Sequence, residues 1–152
     1  MAEVYFYHLE RQPLDQILPR LLAASLERGW RVVVQTDSEE RAEALSAMLW
    51  TWRDDAFLPH GTKADGNAHL QPVWLTAADD SPNSATVRFF VDGASVGGID
   101  GLARAVVIFD GADEAAMART RDGWKRFKAA GHAVSYWQQD ETGRWLDRAK
   151  SG

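Results

Sequence analysis

The sequence predicts an α/β fold: one three-layer α/β/α domain spanning residues 1–152 and built on a largely parallel sheet. Three observations point there. Strand-like and helix-like segments alternate along most of the chain. Two of the strand-like segments, RVVVQ at 31–35 and AVVIF at 105–109, are nearly continuous apolar runs, the pattern of strands buried on both faces. The segment after the second run, residues 113–130, repeats small and apolar residues at helical spacing. Such alternation places helices on both faces of a parallel sheet.

Each element has its own signal. Residues 4–9, VYFYHL, are β-branched and aromatic and read as a first strand. Residues 13–28 read as a helix, with Pro13 in its first turn and Leu14, Ile17, Leu18, Leu21, Leu22 and Leu26 as its apolar stripe. Pro19 is expected to kink or loosen that helix, and Gly29 to end it. After the 31–35 strand, Asp37 and Glu40 fit a capping box as N-cap and N3 of a second helix. This helix turns Ala42, Leu45, Met48, Leu49 and Trp52 inward and ends near Trp52. Residues 57–61 form a loop, and 62–70 are polar and turn-rich. Short strands are expected at 73–76 and 86–91, joined by a loop holding Asp79, Asp80, Ser81, Pro82 and Asn83. Residues 92–101 carry Gly93, Gly97, Gly98 and Gly101, too many for a stable helix. A last strand is expected at 133–137, followed by a polar tail at 141–150 with Trp145 and Leu146.

Composition narrows the function. A hydrophobic content of 45% is enough to bury a core. The formal net charge of -5 argues against generic nucleic-acid binding, which calls for a broadly basic face. Cysteine is absent, which excludes disulfides, thiolate metal sites and thiol catalysis and fits a reducing cytoplasm. The opening MAEVYFYHLE lacks a basic stretch followed by an apolar one, so no signal peptide is expected. No apolar run approaches the ~20 residues of a membrane span.

The α/β pattern raises the question of a nucleotide site. No GxxxxGK[ST] run occurs, and the segment after the first strand, Glu10 to Pro13, contains no glycine to approach a pyrophosphate. The chain therefore resembles nucleotide-binding folds without their site, and no cofactor is expected. Gly93-Ala94-Ser95-Val96-Gly97 matches GxSxG after a strand, and Asp110 and His132 follow in hydrolase order. A small α/β serine hydrolase acting through Ser95 is the alternative enzymatic reading. Against it, Gly97, Gly98 and Gly101 spoil the helix that should follow the serine, and the chain is short for such a sheet. His8, His60, His69 and His132 show no pairing at ligand spacing, so no metal is expected.

Residues 113–130, DEAAMARTRDGWKRFKAA, organise the remaining argument. Asp113 and Glu114 begin the segment and bases end it, the polarity a helix dipole favours. Gly111 precedes it, and Gly131 stands where a helix stops. At helical spacing, Ala116, Thr120, Gly123, Phe127 and Ala130 form one inward stripe. Met117, Arg121, Trp124, Lys125 and Lys128 share another face. Arg119, Arg121, Lys125, Arg126 and Lys128, against Asp122 alone within 115–130, make a basic island on an acidic chain. A tryptophan flanked by arginine and lysine has the form of a binding surface. A direct nucleic-acid-binding module on this basic helix, 115–130, is the second alternative; counterion release would make it strongly salt-dependent.

Two motifs carry a family resemblance. The first is Leu49-Trp50, six residues, then Phe57-Leu58-Pro59-His60. The second is Arg121-x-x-Trp124-Lys125, five residues, then Gly131. With the order of elements, the chain resembles the chi subunit of the bacterial DNA polymerase III holoenzyme over nearly its whole length. Trp124 stands where tyrosine occurs in that family, and Met117 where a lysine does. The resemblance implies a non-catalytic adaptor of the clamp-loader assembly. It implies that one surface binds the acidic C-terminal tail of single-stranded DNA-binding protein, with Arg121, Trp124 and Lys125 at the tail-binding positions. A second surface, with Phe57, would bind the psi subunit or a helicase. The chemistry agrees: a peptide ending in a carboxylate needs a cation for that group and an apolar wall for its last side chain. Arg121 can fork onto the carboxylate, Lys125 adds a point charge and Trp124 supplies the wall.

Overall fold

In the computed structural model, residues 2–10, 12–52 and 58–148 are described. The strands are β1 (Glu3–Leu9), β2 (Val32–Gln35), β3 (Val73–Thr76), β4 (Val87–Phe90), β5 (Arg104–Asp110), β6 (Ala133–Gln139) and β7 (Trp145–Asp147). They form one sheet in the order β3-β2-β4-β5-β1-β6-β7. Every pairing is parallel except β6 with β7. Among the described residues, three α-helices connect them: α1 (Leu14–Glu27), α2 (Glu39–Trp50) and α3 (Glu114–Ala129). The expected α/β fold with a mostly parallel sheet is the one observed.

The alternation of strand side chains explains the layers. On one face, Val32, Val34, Phe89, Val106 and Ile108 pack with Leu18 and Leu22 of α1 and Leu45 and Leu49 of α2. On the other, Val4, Phe6, Phe90, Ala105, Val107 and Phe109 pack with Ala116 and Phe127 of α3. α3 thus lies opposite α1 and α2. Parallel strands buried on both sides require the continuous apolar runs that the sequence carries at β2 and β5.

Several local expectations shift. Pro13 is the N-cap of α1 rather than a first-turn residue, and Pro19 lies inside the helix, which runs unbroken to Glu27. Ser38, not Asp37, caps α2: its hydroxyl accepts from the Arg41 backbone N–H at 3.1 Å. The box therefore starts one residue later, and Glu40 is no longer at N3. Asp37 stands instead near Gly93, at the end of β4. Residues 145–147, read as polar tail, form β7. The Asp140 carboxylate accepts from the backbone of Thr142 and Arg144, which folds the turn that brings Trp145 back against Gln139. A buried polar core partner also appears. Arg88, in the middle of β4, donates to Gln35 and to the carbonyls of Ala78, Asp79 and Asp80. The guanidinium thereby ties the 78–81 segment to β4. Burial pulls Arg88 below its ordinary value, opposed by the nearby Asp80 and Asp79.

Candidate functional site

α3 is held at both ends by its own residues. The Asp113 carboxylate accepts from the backbone N–H groups of Ala115 and Ala116, at 3.0 and 3.1 Å. At the other end Gly131 adopts φ +89°, and the N–H groups of Gly131 and His132 return to the carbonyls of Lys128 and Phe127. These caps fix the rotation of the helix on the sheet. Ala116, Thr120 and Phe127 are buried, whereas Arg121, Lys125 and Lys128 are exposed. Met117 and Trp124 are half-buried between the two groups. The structure therefore brings all five expected residues to one flank of α3, the flank facing β6.

Trp124 is fixed from several sides. Its ring lies 6.0 Å from Phe6 and meets Tyr136 edge-on at 6.1 Å, centroid to centroid. The Lys128 ammonium lies 5.7 Å from its centroid. Behind Tyr136 runs a hydrogen-bonded chain absent from the sequence reading. The Tyr136 hydroxyl is 2.6 Å from Nδ1 of the buried His8, and His8 Nε2 is 3.1 Å from a Glu10 carboxylate oxygen. Burial raises the Tyr136 phenol above its usual range, Glu10 adds to the shift, and the Arg121 charge opposes it. His8 and Tyr136 lie on separate strands and share no sequence motif. Only the β1–β6 register, which sets Tyr136 opposite Phe6, joins them.

The opposite flank of α3 carries Arg119 and Arg126. At 100° per residue, Ala118, Asp122 and Ala129 separate them from Arg121, Lys125 and Lys128, so the basic island is two edges rather than one. Between this flank and the 92–98 segment lies a cleft of about 1230 Å³ floored by Phe6, Phe90, Val107 and Phe127. Ser95 lines it, exposed. The hydrolase alternative does not assemble. No helix follows Ser95, and Arg126 instead donates to the carbonyl of Val96. Asp110 lies in register with Leu9, and Ala133, next to His132, with Glu3, at the opposite end of β1. That separation is about 20 Å at ~3.3 Å per strand residue. His132 Nδ1 moreover accepts from the Ala2 backbone N–H, which leaves it no proton to donate to an aspartate.

Phe57, the expected second-surface residue, lies outside the described residues. The flanking structure is described. Leu58 and His60 are buried, with His60 Nδ1 2.6 Å from the Leu58 carbonyl oxygen and Nε2 3.1 Å from that of Ser46. Trp50 closes α2 with 54% of its surface exposed, its ring 4.5 Å from that of His60. Its exposure breaks the apolar pattern of α2, whose buried residues are Ala42, Leu45, Ser46 and Leu49. That break is the sequence signal that would have singled it out.

Among the described residues, no helix is long and apolar enough to cross a membrane. Comparison with known proteins agrees with the motifs. A probable DNA polymerase III subunit chi of Rickettsia prowazekii (strain Madrid E) is 28% identical over 91 residues, covering 60% of this chain. The aligned part spans 55% of that relative's length. A model of the DNA polymerase III chi subunit family, HolC, matches residues 1–135, from β1 through α3 into β6. The chain belongs to the DNA polymerase III chi subunit family.

Proposed function

We propose that this protein is a cytoplasmic, non-catalytic replication adaptor of the DNA polymerase III clamp-loader assembly, organised as a single domain with two separate partner surfaces. The first is the β6-facing flank of α3, where Arg121, Lys125 and Lys128 stand exposed around the half-buried Trp124, with Met117 beside it. That arrangement is the observation that carries the reading. It matches what an acidic peptide with a terminal carboxylate requires: a forked donor, further cations that raise the on-rate, and an aromatic wall. The partner is the C-terminal tail of single-stranded DNA-binding protein.

The second surface includes Trp50, at the end of α2, and Phe57, which the family motif assigns to it, and takes the psi subunit or a helicase. Trp50 supports it: an exposed tryptophan beside a loop pinned by the buried His60 is suited to anchor an interface. Two separate surfaces are supported by the packing of the helices, since α3 covers β1 and β5 on one face of the sheet while α2 packs on β3 on the other. An adaptor that bridges two partners needs such separation.

A competition experiment tests the reading. The tail peptide is expected to displace full-length single-stranded DNA-binding protein from this chain, and naked single-stranded DNA is not. Displacement by naked DNA alone would favour direct nucleic-acid binding through the basic helix.

A further inference from the structure

We propose that Tyr136 is a further residue of the α3 peptide flank, and that the buried His8–Glu10 pair controls whether its hydroxyl can donate to a carboxylate bound there. The proposal rests on the tail-binding reading. Tyr136 follows directly after the last residue matched by the family model, and its ring packs against the wall residue Trp124.

The argument is one of donors and acceptors. The Glu10 carboxylate, itself receiving a hydrogen bond from Gln138 at 2.8 Å, can only accept. Facing it at 3.1 Å, His8 Nε2 must carry the proton. In neutral His8 the other nitrogen, Nδ1, is then an acceptor, and the Tyr136 O–H at 2.6 Å must point into it. Only oxygen lone pairs are left to face the peptide flank, and these repel a carboxylate. When His8 takes up a proton, Nδ1–H donates to the Tyr136 oxygen instead. The phenol proton is released from the histidine and can turn outward to donate. One proton is taken up from solvent and forms the Nδ1–H bond; otherwise only hydrogen bonds change. The Tyr136 ring packs against Trp124, the wall of the flank that also carries the exposed Arg121, which puts the phenol on the side where a carboxylate forked by Arg121 would sit.

Few charges surround the pair among the described residues. Glu10 faces His8 from the end of β1, Tyr136 from β6, and Arg121 acts on the Tyr136 hydroxyl from α3. From β5 and the turn after it, Phe109 and the backbone of Gly111 approach without charge. The sign follows: a bound carboxylate favours the protonated histidine, so peptide affinity rises as pH falls.

Calorimetry of the tail peptide across the histidine range, about pH 8 to 6, in two buffers of different ionisation enthalpy, reads both affinity and proton uptake. The intact protein is expected to bind roughly tenfold more tightly at the lower pH, as one added charge-assisted hydrogen bond allows, and to take up a proton on binding. Tyr136→Phe is expected to flatten the profile and abolish the uptake. Glu10→Gln, at an exposed position, should alter the profile, because an amide can donate as well as accept and no longer fixes the proton on Nε2. His69→Gln, at an exposed site in the 62–70 segment, should behave as the intact protein. A pH profile in Tyr136→Phe equal to that of the intact protein would overturn the proposal, as would a flat profile in the intact protein. If Tyr136→Phe fails to fold, an unaltered profile in Glu10→Gln overturns it. No binding of the peptide at any pH would instead defeat the tail-binding reading and this proposal together.

Discussion

The Lys128 ammonium caps the Trp124 ring at 5.7 Å from its centroid, on a side chain otherwise enclosed by Phe6 and Tyr136. Trp124 is therefore a fixed wall of the flank and also part of the packing beneath α3. Truncation should affect both. Trp124→Ala is expected to lower stability by about 1–3 kcal/mol, less than the ~3–5 kcal/mol of a fully buried aromatic, and to weaken the tail peptide by at least about tenfold. Trp124→Phe, which keeps an aromatic face, should recover most of the stability and part of the affinity. Denaturant melts and titration of the same preparations separate the two effects.

The second surface calls for the opposite pattern. Trp50 is 54% exposed, with its ring packed on that of His60, so Trp50→Ala should cost only about 1 kcal/mol of stability. In an interface an anchoring aromatic costs about 2 kcal/mol or more on truncation. Trp50→Ala and Phe57→Ala are each expected to abolish capture of the psi subunit or helicase while the tail peptide still binds. Pull-down with each partner reads this directly. A sharp fall in melting temperature with loss of both partners would place Phe57 in the core instead.

Arg88 tests the account of the fold. Its guanidinium is 4% exposed and satisfies Gln35 and the carbonyls of the 78–80 segment. Arg88→Met fills similar space but leaves those acceptors without a donor. The expected loss is about 3 kcal/mol or more, a fall in melting temperature of about 6–12 °C for a chain of this size. Thermal unfolding measures it. The tail flank, on α3, should keep its affinity at temperatures where the variant is folded.

Gly111 leads into α3 where the His8 ring leaves no room for a side chain: a Cβ there would overlap the imidazole. Gly111→Ala is expected to displace His8 from Tyr136 and to cost about 1–3 kcal/mol, as overpacking does. Loss of the His8–Tyr136 hydrogen bond should be visible in the imidazole nitrogen resonances.

Much of this was legible in the sequence. VVV and AVVIF announced the parallel strands because burial on both faces makes nearly every position apolar. The α3 flank was legible because Ala116, Thr120 and Phe127 repeat at helical spacing and fix which residues face out. Other features were not. β7 is short and set among polar residues, and it exists because the Asp140 turn lays Trp145 against Gln139. The cap of α2 was misplaced by one residue because Asp37 and Ser38 are both good caps, and only the backbone decides between them. Arg88 reads as an ordinary charge until its loop partners, seven to ten residues back, fold over it. The His8–Glu10–Tyr136 chain depends on register between strands 128 residues apart, which local pattern does not carry.

The central claim is that an acidic tail binds the flank made by Arg121, Trp124 and Lys125. The most direct measurement is calorimetry of the tail peptide against the intact protein, Arg121→Ala and Lys125→Glu, with Arg119→Glu on the opposite flank of α3 as control. Arg121, Lys125 and Arg119 are all exposed, so each change should alter stability by no more than about 0.5 kcal/mol. Arg121→Ala and Lys125→Glu are each expected to lose about 1.5–3 kcal/mol of binding, tenfold or more in Kd, while Arg119→Glu changes it by only about twofold through long-range charge. Equal affinity in all four proteins, or a larger loss in Arg119→Glu than in the other two, would contradict the account.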